Sequence, residues 1–87
     1  MIRPRLITGS RLTYDRVRAE HVLLVPEGIV RLNPTAAGVL ELCDGSRSLD
    51  EIIRVLTTRY AASDLHDDVR GFIHALADKG IVIDGGE

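Results

Sequence analysis

Three histidines, one cysteine and a run of carboxylates carry whatever chemistry this chain has. His66 and His74 would stand about two helical turns apart, with Asp67, Asp68 and Asp78 nearby, but the spacing is not an HExxH register that grips zinc between two imidazoles one turn apart. His66, Arg70 and His74 share one helical face and read as solvated or hydrogen-bonded surface groups, while His21 falls in a strand. Cys43 lies on the apolar side of a helix, where a lone thiol behaves as a small hydrophobe rather than a nucleophile. Gly28, Gly38, Gly45 and Gly71 are isolated and build no phosphate-cradling loop. With no nucleophile and base pair, carboxylate dyad or ligand set, the sequence predicts no catalysis, no metal and no cofactor.

A chain of 87 residues has room for one domain with one core, so residues 1–87 are expected to form a single domain. Apolar residues make up 45% and charged residues 28%, the balance of a folded globule rather than a disordered chain. The only aromatics are Tyr14, Tyr60 and Phe72, so the core must be aliphatic. Eleven Lys and Arg against thirteen Asp and Glu leave a net charge of -2, which argues against nucleic acid as a partner. Arg3, Arg5, Arg11, Arg16 and Arg18 are spread along the opening segment without interleaved aromatics and read as solvated charge. The longest apolar run, Val22 to Pro26, is too short to span a bilayer, and the first ten residues lack a signal-peptide core. No membrane association and a cytoplasmic location are expected, and the single cysteine fits a reducing compartment.

Residues 1–10, with Pro4, Gly9 and Ser10, read as a loosely held lead-in. Leu12, Tyr14 and Val17 alternate as a half-buried strand over Arg11 to Val17, followed by an Arg18-Ala19-Glu20 turn. His21 to Val25 is apolar on both faces, as a middle strand is, with helices on one side and other material on the second. Pro26-Glu27-Gly28 turns the chain into a third strand, Gly28 to Leu32. Three helices follow. Asn33 caps the first with Pro34 at its first position, and the helix is expected to end at Asp44-Gly45. Ser48 and Glu51 form a capping box for the second, whose buried stripe is Leu49, Ile52, Ile53, Leu56 and Tyr60. Ser63 or Asp64 caps the third, with Leu65, Val69, Phe72, Ile73 and Leu76 as its stripe and Lys79-Gly80 as its stop. Ile81 to Ile83 is a short closing strand or a packed tail. The fold class is therefore α+β and winged-helix-like, with a three-stranded antiparallel sheet followed by a three-helix bundle.

In such a meander the third strand lies at the side of the sheet with unpaired N–H and C=O groups, and Arg31 alone guards it. An edge of this kind either accepts a foreign strand or is covered by a helix or by Ile81 to Ile83, and periodicity does not choose between them. The segments Arg11-Leu12-Thr13-Tyr14-Asp15, Val22-Leu23-Leu24-Val25-Pro26-Glu27 and Leu32-Asn33-Pro34-Thr35-Ala36-Ala37 do. Together with Leu40-Glu41-Leu42-Cys43-Asp44-Gly45 and Ser48-Leu49-Asp50-Glu51-Ile52, in this order and spacing, they resemble the PqqD family, pyrroloquinoline quinone biosynthesis protein D. His21 stands where many family members carry an aromatic residue. The third helix matches by pattern more than by identity.

The resemblance implies a peptide chaperone, a RiPP recognition element, that binds the leader of a ribosomally made precursor (PqqA-like) as an added strand between the third strand and the third helix. It implies delivery to a radical S-adenosylmethionine enzyme (PqqE-like) that cross-links a glutamate and a tyrosine in the peptide. On this chain one wall would be Gly28, Ile29, Val30, Arg31 and Leu32, and the other the helical face with Asp67, Arg70, Ile73, His74 and Ala77. Arg31, Arg70 and His74 would meet acidic leader side chains, with Ile73 and Ala77 as an apolar pocket. Three alternatives stand beside this reading: a recognition element of another peptide-modifying pathway, an adaptor that docks only to the enzyme, and a winged-helix DNA-binding regulator. Asp64, Asp67, Asp68 and Asp78 on the third helix oppose the last of these.

Overall fold

Two turns set the sheet. The computed structural model describes residues 3–60 and 65–85. Strand β1 spans Pro4–Leu6, β2 Arg11–Asp15, β3 Glu20–Val25 and β4 Gly28–Leu32, and β2, β3 and β4 form an antiparallel meander with β3 in the middle. Between β2 and β3 the carboxylate of Asp15 accepts from the backbone N–H groups of Val17 and Arg18, at 3.0 and 3.2 Å. That turn ends β2 two residues earlier than alternation alone suggests, because Asp15 diverts the backbone donors from the ladder. Pro26 and Glu27 connect β3 to β4, and Gly28 takes φ +156°, a value that L side chains rarely adopt.

Alternation sorts the sheet into two unlike faces. Leu12, Leu23 and Val30 pair across the strands and point inward, as do Tyr14, His21 and Leu32. Leu23 is completely buried and Leu32 nearly so, whereas Ile29, on the opposite face, is 66% exposed. That outer face also carries Thr13, Val22 and Arg31, and Val22 is buried without joining the main core cluster.

Helix α1 (Pro34–Glu41) starts as its residues predict, with the Asn33 side chain accepting from Ala36 N–H at 2.7 Å and Pro34 in the first turn. It stops short of the expected Asp44-Gly45: Leu42 and Cys43 fold back onto the carbonyls of Val39 and Leu40, and the chain leaves to bridge Arg5 at Asp44. In α2 (Leu49–Tyr60) the capping box is reciprocal, Ser48 N–H donating to Glu51 Oε1 at 2.9 Å and Glu51 N–H to Ser48 Oγ at 3.1 Å. The residues expected to cap α3 (Leu65–Asp78), Ser63 and Asp64, lie outside the described residues. Its other end is a glycine-closed Schellman turn: Gly80 at φ +75° donates to Ala77 O, and Ile81 N–H reaches back to Leu76 O at 2.9 Å. Ile81 and Leu76 both join the core.

The lead-in differs most from expectation. Residues 4–6 are not loose but form β1, paired antiparallel with β5 (Val82–Asp84) in the register Pro4↔Asp84, Arg5↔Ile83, Leu6↔Val82. On its other side β1 exchanges bonds with the segment after α1, Leu6 N–H to Cys43 O and Gly45 N–H to Pro4 O. Pro4 is fully buried, which a strand's first residue tolerates because it has no N–H to satisfy. The two ends of the described chain thus close against each other, and Ile81 to Ile83 is spent on β1 instead of on the β4 edge. Leu23, Ile52, Leu56 and Ile73, each wholly buried, hold the sheet's inner face against the three helices. Burying one such side chain contributes roughly 1.5–3 kcal/mol.

Glu51 lies below the usual carboxylate range, chiefly because it accepts from Ser48 N–H and then from the Ser48 hydroxyl. A depressed folded value means stability that is complete above the ordinary 4.5 and is lost as pH falls through the lower folded value. Thermal unfolding should therefore show an advantage of wild type over Glu51→Gln at neutral pH that vanishes in acid. Ala19, which bears its side chain at φ +54°, supplies a second test: Ala19→Gly should raise stability by about 1 kcal/mol in chemical denaturation.

Candidate functional site

Strand β4 is an edge of the three-stranded sheet, with β3 on one side and no strand on the other among the described residues. A two-residue hairpin closes on a hydrogen-bonded pair, here Val25 and Gly28, so alternation makes Leu24↔Ile29 and Val22↔Arg31 the non-bonded pairs. Ile29 and Arg31 accordingly turn their N–H and C=O groups outward, while Val30 and Leu32 spend theirs on Leu23 and His21. The edge offers two donors and two acceptors at the spacing of an incoming strand. Gly28, Ile29 and Arg31 are exposed, Val30 is half-buried and Leu32 is buried. The five expected residues of this wall come together as one continuous edge.

Where β4 runs out, the chain passes Leu32 to Asn33 and meets a cleft of about 370 Å³ between the start of α1 and the first half of α3. Asn33, Thr35, Ala36 and Val39 line one side and Leu65, Asp68, Val69 and Phe72 the other. Its lining is mostly apolar, with Asp68, Thr35 and Asn33 as the polar members. Leu65 and Phe72 are only half-buried, the two members of the α3 stripe that face the cleft instead of filling the core.

The expected helical wall is placed differently. Ile73 is wholly buried in the core and offers no surface to a groove. Arg70 turns toward α2, its guanidinium 3.5 Å from Asp50 Oδ1 and 3.5 Å from His66 Nε2. Asp67 is fully solvated with His66 Nδ1 at 3.4 Å, His74 is exposed and Ala77 is half-buried. The cleft side of α3 is Leu65, Asp68, Val69 and Phe72, about one position round from Asp67 and its row. Periodicity assigned Leu65, Val69 and Phe72 wholly to the core. Such a stripe is wider than the helix needs for packing, and its margins become cleft wall. Arg31 is likewise engaged, with Nε 3.4 Å from Glu20 Oε1 on the outer face. The Arg70–Asp50 pair is largely exposed and worth at most about 1 kcal/mol, and in the other pair Arg31 is exposed while Glu20 is half-buried, so these contacts orient the arginines rather than lock them.

An open edge beside an apolar cleft can hold an extended chain, by main-chain bonds for affinity and by a side-chain pocket for selection. Among the described residues no group of three or more His, Cys, Asp or Glu is placed to hold a metal ion. No helix among them is long and apolar enough to cross a membrane.

Residues 20–82 match the family model of coenzyme PQQ synthesis protein D, PqqD. The chain belongs to the PqqD family. Among PqqD relatives, a PqqA binding protein of Rhodopseudomonas palustris (strain BisB5) is 37% identical over 98% of this chain and 85% of its own length. One from Methylococcus capsulatus is 39% identical over 80% of this chain and 75% of its own, and one from Klebsiella pneumoniae is 44% identical over 75% and 72%. The same fold is seen in the solution structure of the PqqD truncation of Methylobacterium extorquens PqqCD, described as a stand-alone RiPP recognition element. That structure shares 36% identity and a TM-score of 0.79, over 92% of this chain and 87% of its own. The PqqD fold thus accounts for the sheet and three helices read from the sequence.

Cys43 is the one thiol in the chain, and it lies in the core with Sγ donating to Val39 O at 3.3 Å. Burial, helped by the neighbouring Asp44 carboxylate, pushes it up to about 12, so almost no thiolate exists at neutral pH. Alkylation by a maleimide should therefore proceed in the native protein only at the rate of opening, and become fast in denaturant.

Proposed function

We propose that this chain is a non-catalytic peptide-recognition module that binds the leader of a ribosomally made precursor as a strand added to β4 and holds it for a modifying enzyme. The observation that carries the reading is the free β4 edge, with the outward backbone groups of Ile29 and Arg31, running into the cleft under Asn33. A strand laid along β4 places alternate side chains over the inner face, where Phe72, Leu65 and Val69 of α3 accept apolar groups. Relatives named PqqA binding protein and a structural neighbour described as a RiPP recognition element support the same assignment. The resemblance extends it to pyrroloquinoline quinone biosynthesis, with a PqqA-like peptide as ligand and a radical S-adenosylmethionine enzyme as recipient. Both the ribosomal origin of such a peptide and the unbridged Cys43 favour action in the cytoplasm.

The module acts by effective concentration: a bound leader keeps its core segment near the enzyme and in one register, with no bond made or broken by the module itself. The sign of charge on α3 supports peptide over DNA as ligand. Asp67 and Asp68 are exposed on its first turn and would repel phosphates, and Arg70 is already held by Asp50.

Titrating the labelled chain with a synthetic leader peptide should shift the amide resonances of Gly28 to Leu32 and of Leu65 to Phe72. Resonances of Gly28 to Leu32 that stay unmoved at saturating peptide would sink the proposal. Ile29→Pro removes an outward N–H without touching the bonds to β3, and should weaken peptide binding by about tenfold while the protein stays folded. Val30→Pro breaks a bond within the sheet and should lower thermal stability as well.

A further inference from the structure

We propose that the tip of the β2–β3 hairpin, Arg16-Val17-Arg18 with the adjoining Tyr14, is the docking point for the peptide-modifying enzyme, whose matching surface is an apolar pocket rimmed by carboxylates. This rests on the peptide-presenting reading above. Presentation requires a second surface, separate from the one the peptide covers.

Val17 is 96% exposed, the most exposed large hydrophobic side chain among the described residues. Alone it would mean little. It is, however, flanked by two arginines, and Tyr14, three residues back and within β2, is 48% exposed. Tyrosine and arginine are among the residue types enriched in protein-binding hot spots.

The tip is also held in place. Asp15 accepts from the N–H groups of Val17 and Arg18, its other carboxylate oxygen lies 3.9 Å from Arg18 Nε, and Tyr14 packs edge-on against His21 with ring centroids 4.9 Å apart. Little backbone freedom remains to be lost on docking. Arg16 makes no ion pair among the described residues, and the other nearby acid, Glu20, is engaged by Arg31. The tip therefore presents net positive charge on a chain whose total is -2, and its complement is acidic.

Position names the occupant. Tyr14 pairs with His21 and His21 with Leu32, the last residue of the β4 edge, so the tip stands beyond the end of the peptide-accepting strand. A partner seated there stands at the end of the sheet from which a peptide on β4 leaves past Leu32, within reach of the rest of that peptide.

The test compares the full-length chain with an Arg16→Glu, Val17→Asp double variant in calorimetric titrations against the leader peptide and against the modifying enzyme of the same pathway. The expected result is unchanged peptide affinity, at least about tenfold weaker enzyme binding, and wild-type enzyme affinity that falls as salt is raised. Val17→Ser, which keeps both arginines and every backbone bond of the turn, should lose part of the enzyme affinity and guards against misfolding of the double variant. Enzyme binding that survives both substitutions overturns the proposal. So does wild-type binding to anionic vesicles, or a wild-type dimer in light scattering, that the double variant abolishes. Failure of the wild-type chain to bind the leader would instead strike the peptide reading, since the enzyme titration is scored separately.

Discussion

Leu23 sits at the centre of the inner sheet face, between Leu12 and Val30, and contacts with the helical layer leave it no solvent exposure. A three-stranded sheet is not stable by itself in water and needs an apolar cover on one face. Here the cover is the helical triplet, whose Ile52, Leu56 and Ile73 are equally buried. Once that face is sealed, the register of every strand is determined, because a slip by one residue would send Leu23 to solvent and Val22 or Leu24 into the core. The outward direction of Ile29 and Arg31 follows from the same register. So does the open edge of β4.

Closing the chain depends on a second, smaller device. β1 and β5 come from opposite ends of the sequence and tie the segment after α1 to the segment after α3. The ribbon uses up the one apolar tail, Ile81 to Ile83, with the reach to cover another edge. With the tail engaged, no strand covers β4 among the described residues, and the Arg31 side chain beside it is drawn to Glu20. The charges elsewhere act as guides for side chains more than as sources of stability, since no polar or charged side chain among the described residues is buried.

The site that results has a division of labour. In the proposed reading, the β4 backbone supplies bonds that any extended peptide can make, and the cleft between α1 and α3 supplies the apolar surface that distinguishes one peptide from another. Its shape comes from two helices whose own ends are independently stabilised, α1 by Asn33 and α3 by the glycine-closed turn at Gly80. A rigid groove loses little entropy when it is filled. The one thiol of the chain, Cys43, is turned into the core, where burial pushes it up to about 12.

The amino-acid sequence by itself determined the features that are local. Alternation marks β2, an apolar run between turns marks β3, Pro26 to Gly28 marks the turn into β4, Asn33-Pro34 and Ser48-Glu51 mark the starts of two helices, and Gly80 marks the end of the third, because each is settled within a few residues. The end of α1 and the length of β2 were legible only approximately, since a side chain or a distant strand competes there for the backbone. Three things were decided only by tertiary structure. Residues 4–6 become a strand because Val82 to Asp84 lie beside them, a pairing across nearly the whole chain that no local pattern carries. The rotation of α3, which sends Ile73 into the core and Leu65, Asp68 and Phe72 to the cleft, is set by packing on α1 and α2, and a helical period leaves it uncertain by one position. Whether β4 is covered or open depends on where the C-terminal segment goes, and that segment is held by β1.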